Sequence, residues 1–185
     1  MFWPFRKKEP SSLSQIVEGA LGALLREADY RFIQVYWPML GDDLGELFAR
    51  NYTSFVVVLT IEALLDMMRA GRFKGVQLTP NEADAAWKKG LEEALRRRNP
   101  TDDAYRKALQ DYELAASEYG EALADAASRD FPASKYFVIT ARFADRVADL
   151  GAPERRTVME IAVSITDMVV GVCKKAPKLY HLTGP

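Results

Sequence analysis

At 185 residues the chain is long enough for one domain and a short appended element. Its 25 Lys and Arg nearly balance 26 Asp and Glu, leaving a formal charge of -1, and 49% of residues are hydrophobic against 28% charged. This excludes a disordered chain, a collagen-like chain and a disulfide scaffold, and it leaves no cation surplus for wholesale nucleic-acid binding.

The one cysteine, Cys173, cannot form an internal disulfide and suits a reducing compartment, so a cytoplasmic protein is expected. Residues 1–11 read as a flexible aromatic and basic segment. Phe2, Trp3 and Phe5 are followed at once by Arg6, Lys7 and Lys8, which is neither the order nor the length of a secretory signal. Aromatic rings settle in the headgroup zone of a bilayer, and cations are drawn to its anionic leaflet. These six residues are therefore the candidates for a weak, reversible contact with the inner face of a membrane.

Helix signals fill residues 12–175, which read as one all-α domain. Ser12 and Gln15 form a capping box, after which Leu13, Val17, Ala20, Leu21, Leu24 and Ala28 recur at steps of three and four. Phe32 and Val35 extend that stripe until Pro38 ends it. Asp43 and Glu46 predict a second capping box and a helix running to about Ala70, closed by Gly71. The run from Phe55 to Leu59 would suit a buried strand on its own. With no turn residue on either side it reads as helix, and the apolar window from Phe55 to Leu65 is too short to cross a bilayer. Asn51 opens a glycosylation triplet that falls inside this helix and is read as chance.

Thr79, Pro80 and Glu82 supply a cap, a proline at the first helical position and a box partner for a helix that ends at Asn99-Pro100. The next begins at Thr101 or Asp102 and runs to about Ser128. A helix from Ala133 to Leu150, closed by Gly151, and another from near Pro153 to about Lys175 complete the set, leaving the tail 176–185. The expected fold is a compact bundle of about six helices with a charged antiparallel helical hairpin, residues 79–128, in the middle.

In that hairpin Lys88-Lys89, Glu92-Glu93 and Arg96-Arg97 alternate in sign, as on a solvated ion-pair face. Arg96, Arg97 and Arg98 suit a helix C-terminus, where the dipole favours cations. Tyr105, Tyr112 and Tyr119 recur at steps of seven and are expected to face Trp87, Leu91, Ala94 and Leu95. That neighbour is too small to hide three phenols, so Tyr105, Tyr112, Tyr119 and Trp87 are the candidate interface for a protein partner or a second copy of the chain.

Catalytic parts are scarce. The one histidine, His181, lies four residues from the end, and Cys173 shares an apolar face with Ile161, Ile165, Met168, Val169 and Val172. Zinc-ligand sets and Gly-rich phosphate loops are missing, so no cofactor is expected. The expected function is therefore non-catalytic: a helical adaptor, regulatory or self-associating protein. A second reading is a bundle that binds an apolar or aromatic small molecule or lipid around Tyr30, Phe32, Tyr36 and Trp37. A third is a magnesium-dependent hydrolase using Glu62 and Asp66, or Glu118, Glu121 and Asp125, whose carboxylates stand one turn apart.

Overall fold

The computed structural model describes residues 9–75, 77–128, 134–147 and 152–182, and 87% of these described residues are helical, as an all-α fold requires. In chain order the elements are β1 (Glu9–Ser11), α1 (Leu13–Arg31), a π-helical turn (Phe32–Tyr36), α2 (Trp37–Leu40), α3 (Asp42–Arg69), α4 (Pro80–Arg98), α5 (Asp102–Ser128), α6 (Lys135–Val147), α7 (Ala152–Cys173), α8 (Ala176–Leu179) and β2 (Tyr180–Leu182). Six of them are long helices, close to the count expected.

The capping chemistry operates where the sequence announces it. The Ser12 N–H donates to Gln15 Oε1 at 2.9 Å and the Gln15 N–H returns to Ser12 Oγ at 3.4 Å. Thr79 and Glu82 exchange the same pair at 2.8 and 3.4 Å, with Pro80 at the first helical position. Gly71, at φ 61°, closes α3: its N–H donates to the Met68 carbonyl at 2.8 Å and the Arg72 N–H to that of Met67 at 2.9 Å. A left-handed residue is needed for that paired closure, and glycine adopts it without a Cβ penalty.

The helix does not stop at Pro38. It widens into the π turn, where the Trp37 N–H donates to the Phe32 carbonyl five residues back, and continues to Leu40. Widening moves the carbonyl ladder off the proline ring, which would otherwise collide with it. It also corrects a register. Leu24, Ala28, Phe32, Tyr36 and Leu40 are all buried at four-residue spacing, and each such step over-rotates an α-helix by about 40°. One wide turn takes back part of that drift and keeps the row facing the core. The box expected from Asp43 and Glu46 is not the start of α3. Gly41, at φ 72°, occupies the cap position without a side-chain bond, and Asp42 accepts from Trp37 Nε1 at 3.2 Å.

The core is organised around α3. Phe48, Phe55, Val56, Val57, Val58, Leu59, Thr60, Ala63 and Leu64 are all buried, and α1, α5, α6 and α7 pack against it. Phe143 of α6 stacks on Phe55 at 4.1 Å and meets Phe48 edge-on at 5.1 Å. The buried hydroxyls of Thr60, Thr140 and Thr166 each donate to the carbonyl four residues back, so these three groups are buried without an unmet hydrogen bond. Asn51–Arg69 has the length and mean hydropathy (1.3) of a membrane span, yet 56% of it is buried inside the bundle. Asn51 is itself engaged, accepting from Arg146 Nε at 3.0 Å.

The two helices of 79–128 do not close mainly on each other. Trp87, Gly90, Leu91, Ala94 and Leu95 of α4 are buried, and α4 lies on α1, while α5 packs on α3 and α6. At Gly90 a Cβ would lie 2.5 Å from the Ser14 carbonyl oxygen and 2.8 Å from Val17 Cβ, so the backbones of α4 and α1 approach as glycine alone permits. Arg98 forks onto Asp29 and also donates to Tyr52 OH at 3.0 Å, and Arg97 pairs with Glu18, fastening α4 along α1.

The ends expected to be loose are tied together where the structure describes them. Of the N-terminal segment, Glu9–Ser11 forms a strand parallel to Tyr180–Leu182, with Glu9 opposite Tyr180 and Ser11 opposite Leu182. Leu182 is buried and its N–H donates to the Lys74 carbonyl at 2.9 Å. A buried leucine and satisfied backbone groups give the C-terminal segment a reason to dock that the helical pattern did not display.

Gly90→Ala is expected to lower stability by about 2 kcal/mol, since the added methyl meets backbone and not a flexible side-chain tip. Gly120→Ala is the matched control on α5, where a Cβ meets nothing within 4 Å. It should raise stability by about 0.5–1 kcal/mol through helix propensity. Denaturant midpoints of the two variants check both signs.

Candidate functional site

The aromatic group before Pro38 divides. Phe32 and Tyr36 are buried: Phe32 stacks on Tyr52 at 5.2 Å and on Phe48 at 5.6 Å, Trp37 meets it edge-on at 5.5 Å, and Tyr36 OH lies 3.1 Å from Ser164 Oγ. Their faces are taken up by each other, so these rings join α1 to α3 and α7 and do not act as the walls of a ligand pocket. Tyr30 goes the other way, at 65% exposure, and is followed on the outer side by Ile33 (62%), Val35 (48%) and Met39 (58%). Sequence reading marked the rings, passed over Ile33 and Met39, and placed Val35 on the buried stripe, where the structure turns it outward, because periodicity alone does not say where a π turn will rotate these residues.

The tyrosine seam of α5 also turns inward. Tyr105, Tyr119 and Trp87 are buried and Tyr112 is half-buried against the core, so the surface expected to receive a partner is largely occupied by the chain's own helices. The physical reason is the central helix: α5 packs mainly on α3 and α6, while α4 lies on α1. Tyr119 packs on Phe55 at 6.4 Å, and its hydroxyl finds no hydrogen-bond partner among the described residues. Burial pushes that phenol well above its ordinary pKa. Tyr105 lies under the Arg96 guanidinium, 4.0 Å from its ring centre, and Arg96 also pairs with Glu92 and Asp102.

Both carboxylate groups have cationic company. Lys135, at the start of α6, places Nζ 2.8 Å from Glu62 Oε2 and 2.6 Å from Asp66 Oδ1, and Tyr136 OH donates to Asp66 Oδ2 at 2.5 Å. Burial opposes ionisation of Asp66, but the Lys135 ammonium and the Tyr136 hydroxyl outweigh it and hold the carboxyl below its usual value. An ammonium thus occupies the place between Glu62 and Asp66 that a divalent cation would need. On α5, Glu118 pairs with Arg146 at 3.1 Å and faces Arg142 at 3.9 Å. Glu118, Glu121 and Asp125 border an open cleft of about 560 Å³ against Phe137, Ala141 and Arg142 of α6. Among the described residues no group of three or more His, Cys, Asp or Glu side chains is placed to hold a metal ion.

Cys173 is fully buried, and loss of hydration pushes its thiol up to about 12. His181 is exposed on β2. Among the described residues neither forms a hydrogen bond with an acid–base side chain; Cys173 Sγ donates to the Thr60 carbonyl at 3.9 Å. Phe2, Trp3, Phe5, Arg6, Lys7 and Lys8 lie outside the described residues. Compared with protein-family models, with curated proteins and with solved structures, the chain finds no match.

Asp66→Asn is expected to cost about 1–2 kcal/mol at pH 7, the loss of a charge-assisted network at a half-buried site. The carboxyl is held below its ordinary pKa, so its contribution is present above the unfolded value and lost as pH falls through the folded one. The gap between parent and variant should therefore shrink in urea melts at pH 3, and a gap of equal size at both pH values would contradict the network. Cys173 should react with a thiol reagent at least ~100-fold more slowly in the folded protein than in denaturant. Fast native labelling would show that α7 opens.

Proposed function

We propose that this protein works by binding another protein and not by catalysis, and that the outer face of residues 30–39 is where the partner docks. One observation carries this reading. Tyr30, Ile33, Val35 and Met39 are four large apolar side chains exposed within ten residues, whereas Leu114, Phe137 and Val163 are scattered singly over other helices. Single exposed apolar residues are ordinary, but a cluster is a surface that water disfavours and a partner relieves.

The local backbone supports the same reading. A π turn is a costly irregularity that recurs at functional positions, and here it sets Ile33 and Val35 outward while Phe32 and Tyr36 stay in the core. Exposed Asp42 and Asp43 follow at once in the first turn of α3. The fitting partner is a protein presenting an apolar ridge flanked by cations.

The reading is tested with a photo-crosslinking residue placed at Ile33 or Met39 in cells, and at exposed Ala85 of α4 as a control. One discrete protein adduct is expected from the first two positions and none from Ala85. Ile33→Asp with Met39→Asp, or reversal of Asp42 and Asp43 to Lys, should abolish it while leaving stability within about 0.5 kcal/mol. Equal labelling from Ala85, or an adduct of two copies of this chain, overturns the reading.

A further inference from the structure

Three distant stretches of chain meet at one end of the bundle. The β1–β2 pairing sets Glu9 beside Tyr180, and the Leu182 N–H binds the Lys74 carbonyl. At Gly75, φ 132°, a Cβ would lie 2.1 Å from the Leu182 carbonyl oxygen, so the loop after α3 lies directly on β2. What these stretches share is charge. From Met67 to Asn81 and from Met168 to Pro185 there is no Asp or Glu, while Arg69, Arg72, Lys74, Lys174, Lys175 and Lys178 fall within them.

Four of those cations, Arg72, Lys74, Lys174 and Lys178, line a cleft of about 480 Å³ whose apolar walls are Met67 and Pro177. All four are exposed, and none has an ion-pair partner among the described residues. Over the helices many cations instead hold a carboxylate, as Arg96, Arg97, Arg98, Lys135, Arg146 and Arg155 do, while exposed Lys89, Arg106 and Lys107 stand singly along α4 and α5 and line no such cleft. With the whole chain at -1, a cationic end leaves the remainder of the surface acidic. In the sequence, Arg6, Lys7 and Lys8 and the rings Phe2, Trp3 and Phe5 directly precede Glu9.

We propose that this end of the bundle docks on an anionic lipid surface, the cleft cations taking phosphate-bearing headgroups and the N-terminal rings entering the interfacial zone. The chemistry distinguishes this from a nucleic acid. Lysine, a flexible point charge, outnumbers arginine around the cleft and suits a fluid array of headgroups better than the fixed geometry of bases and backbone. Rings beside cations match the bilayer interface, where each makes a separate contribution. An acidic remainder repels a long polyanion that would run across it, but is held away from a membrane touched by one end only. The surface is separate from the docking face at Ile33, so either can fail without the other.

The full chain is tested by sedimentation with vesicles of phosphatidylcholine containing 30% phosphatidylserine, and with phosphatidylcholine alone. Binding is expected only to the first, and is expected to disappear in 0.5 M salt, where the screening length falls to about 4 Å. Lys174→Glu with Lys178→Glu, and removal of residues 1–8, should each weaken the partition coefficient at least tenfold. Lys89→Glu with Lys107→Glu, exposed on α4 and α5, and Ile33→Asp with Met39→Asp should leave it unchanged. Circular dichroism and a melting midpoint keep loss of fold separate from loss of binding. No binding to the anionic vesicles, unchanged binding by the Lys174 and Lys178 double variant, or tighter binding to a mixed-sequence oligonucleotide at the same salt overturns the proposal.

Discussion

A helix that is apolar on every side must be covered on every side, and α3 is such a helix. From Phe48 to Leu64 it presents buried side chains all around its axis, and the fold is the set of helices recruited to surround it. Each of α1, α5, α6 and α7 needs only one apolar stripe. This explains why α5 packs more on α3 and α6 than on its neighbour in sequence: α4 is laid on α1, Tyr119 goes to Phe55, and only the start of α5 stays with α4, through Tyr105 and Asp102 against Arg96. The same demand draws Phe143 into a stack with Phe55 and Phe48.

Packing of this kind decides what the polar groups can do. Once α6 is laid on α3, Lys135 and Tyr136 arrive beside Glu62 and Asp66, turning two carboxylates that would suit a cation in isolation into a closed network. Once α4 is laid on α1, Arg98 is delivered to Asp29 and Tyr52, and the basic run that suits a helix C-terminus also becomes a fastening. Of the charged side chains left without an ion pair, four gather around one cleft, where the two termini of the domain meet.

The exposed apolar face at residues 30–39 arises from the opposite tension. A row of buried residues at strict four-residue spacing cannot stay on one side of an α-helix, and the π turn that restores it shifts the intervening residues outward. Core register and surface character are thus two results of one backbone irregularity. Tyr36 illustrates the linkage: its ring is core, its hydroxyl reaches Ser164 of α7, and its immediate neighbour Val35 faces solvent.

The all-α class, the two capping boxes at Ser12 and Thr79, the Gly71 closure and the helical state of Phe55 to Leu59 were legible in the sequence, because each rests on interactions within four residues or on a period the chain repeats. The continuation through Pro38 was not, since a π turn is set by distant core partners of Phe32 and Tyr36. Nor were the pairing of β1 with β2, the inward turn of Tyr105 and Tyr119, or the capture of Asp66 by Lys135. In the candidate sites the sequence picked out the right residue types. Whether an aromatic ring became core or surface, and whether a carboxylate or a lysine was paired or free, depended on which helix lay across it. The sequence by itself determined which segments would be helices and which stripes would seek cover; only the tertiary structure decided the partners, because a stripe specifies that it must be buried and the geometry of α3 specifies against what.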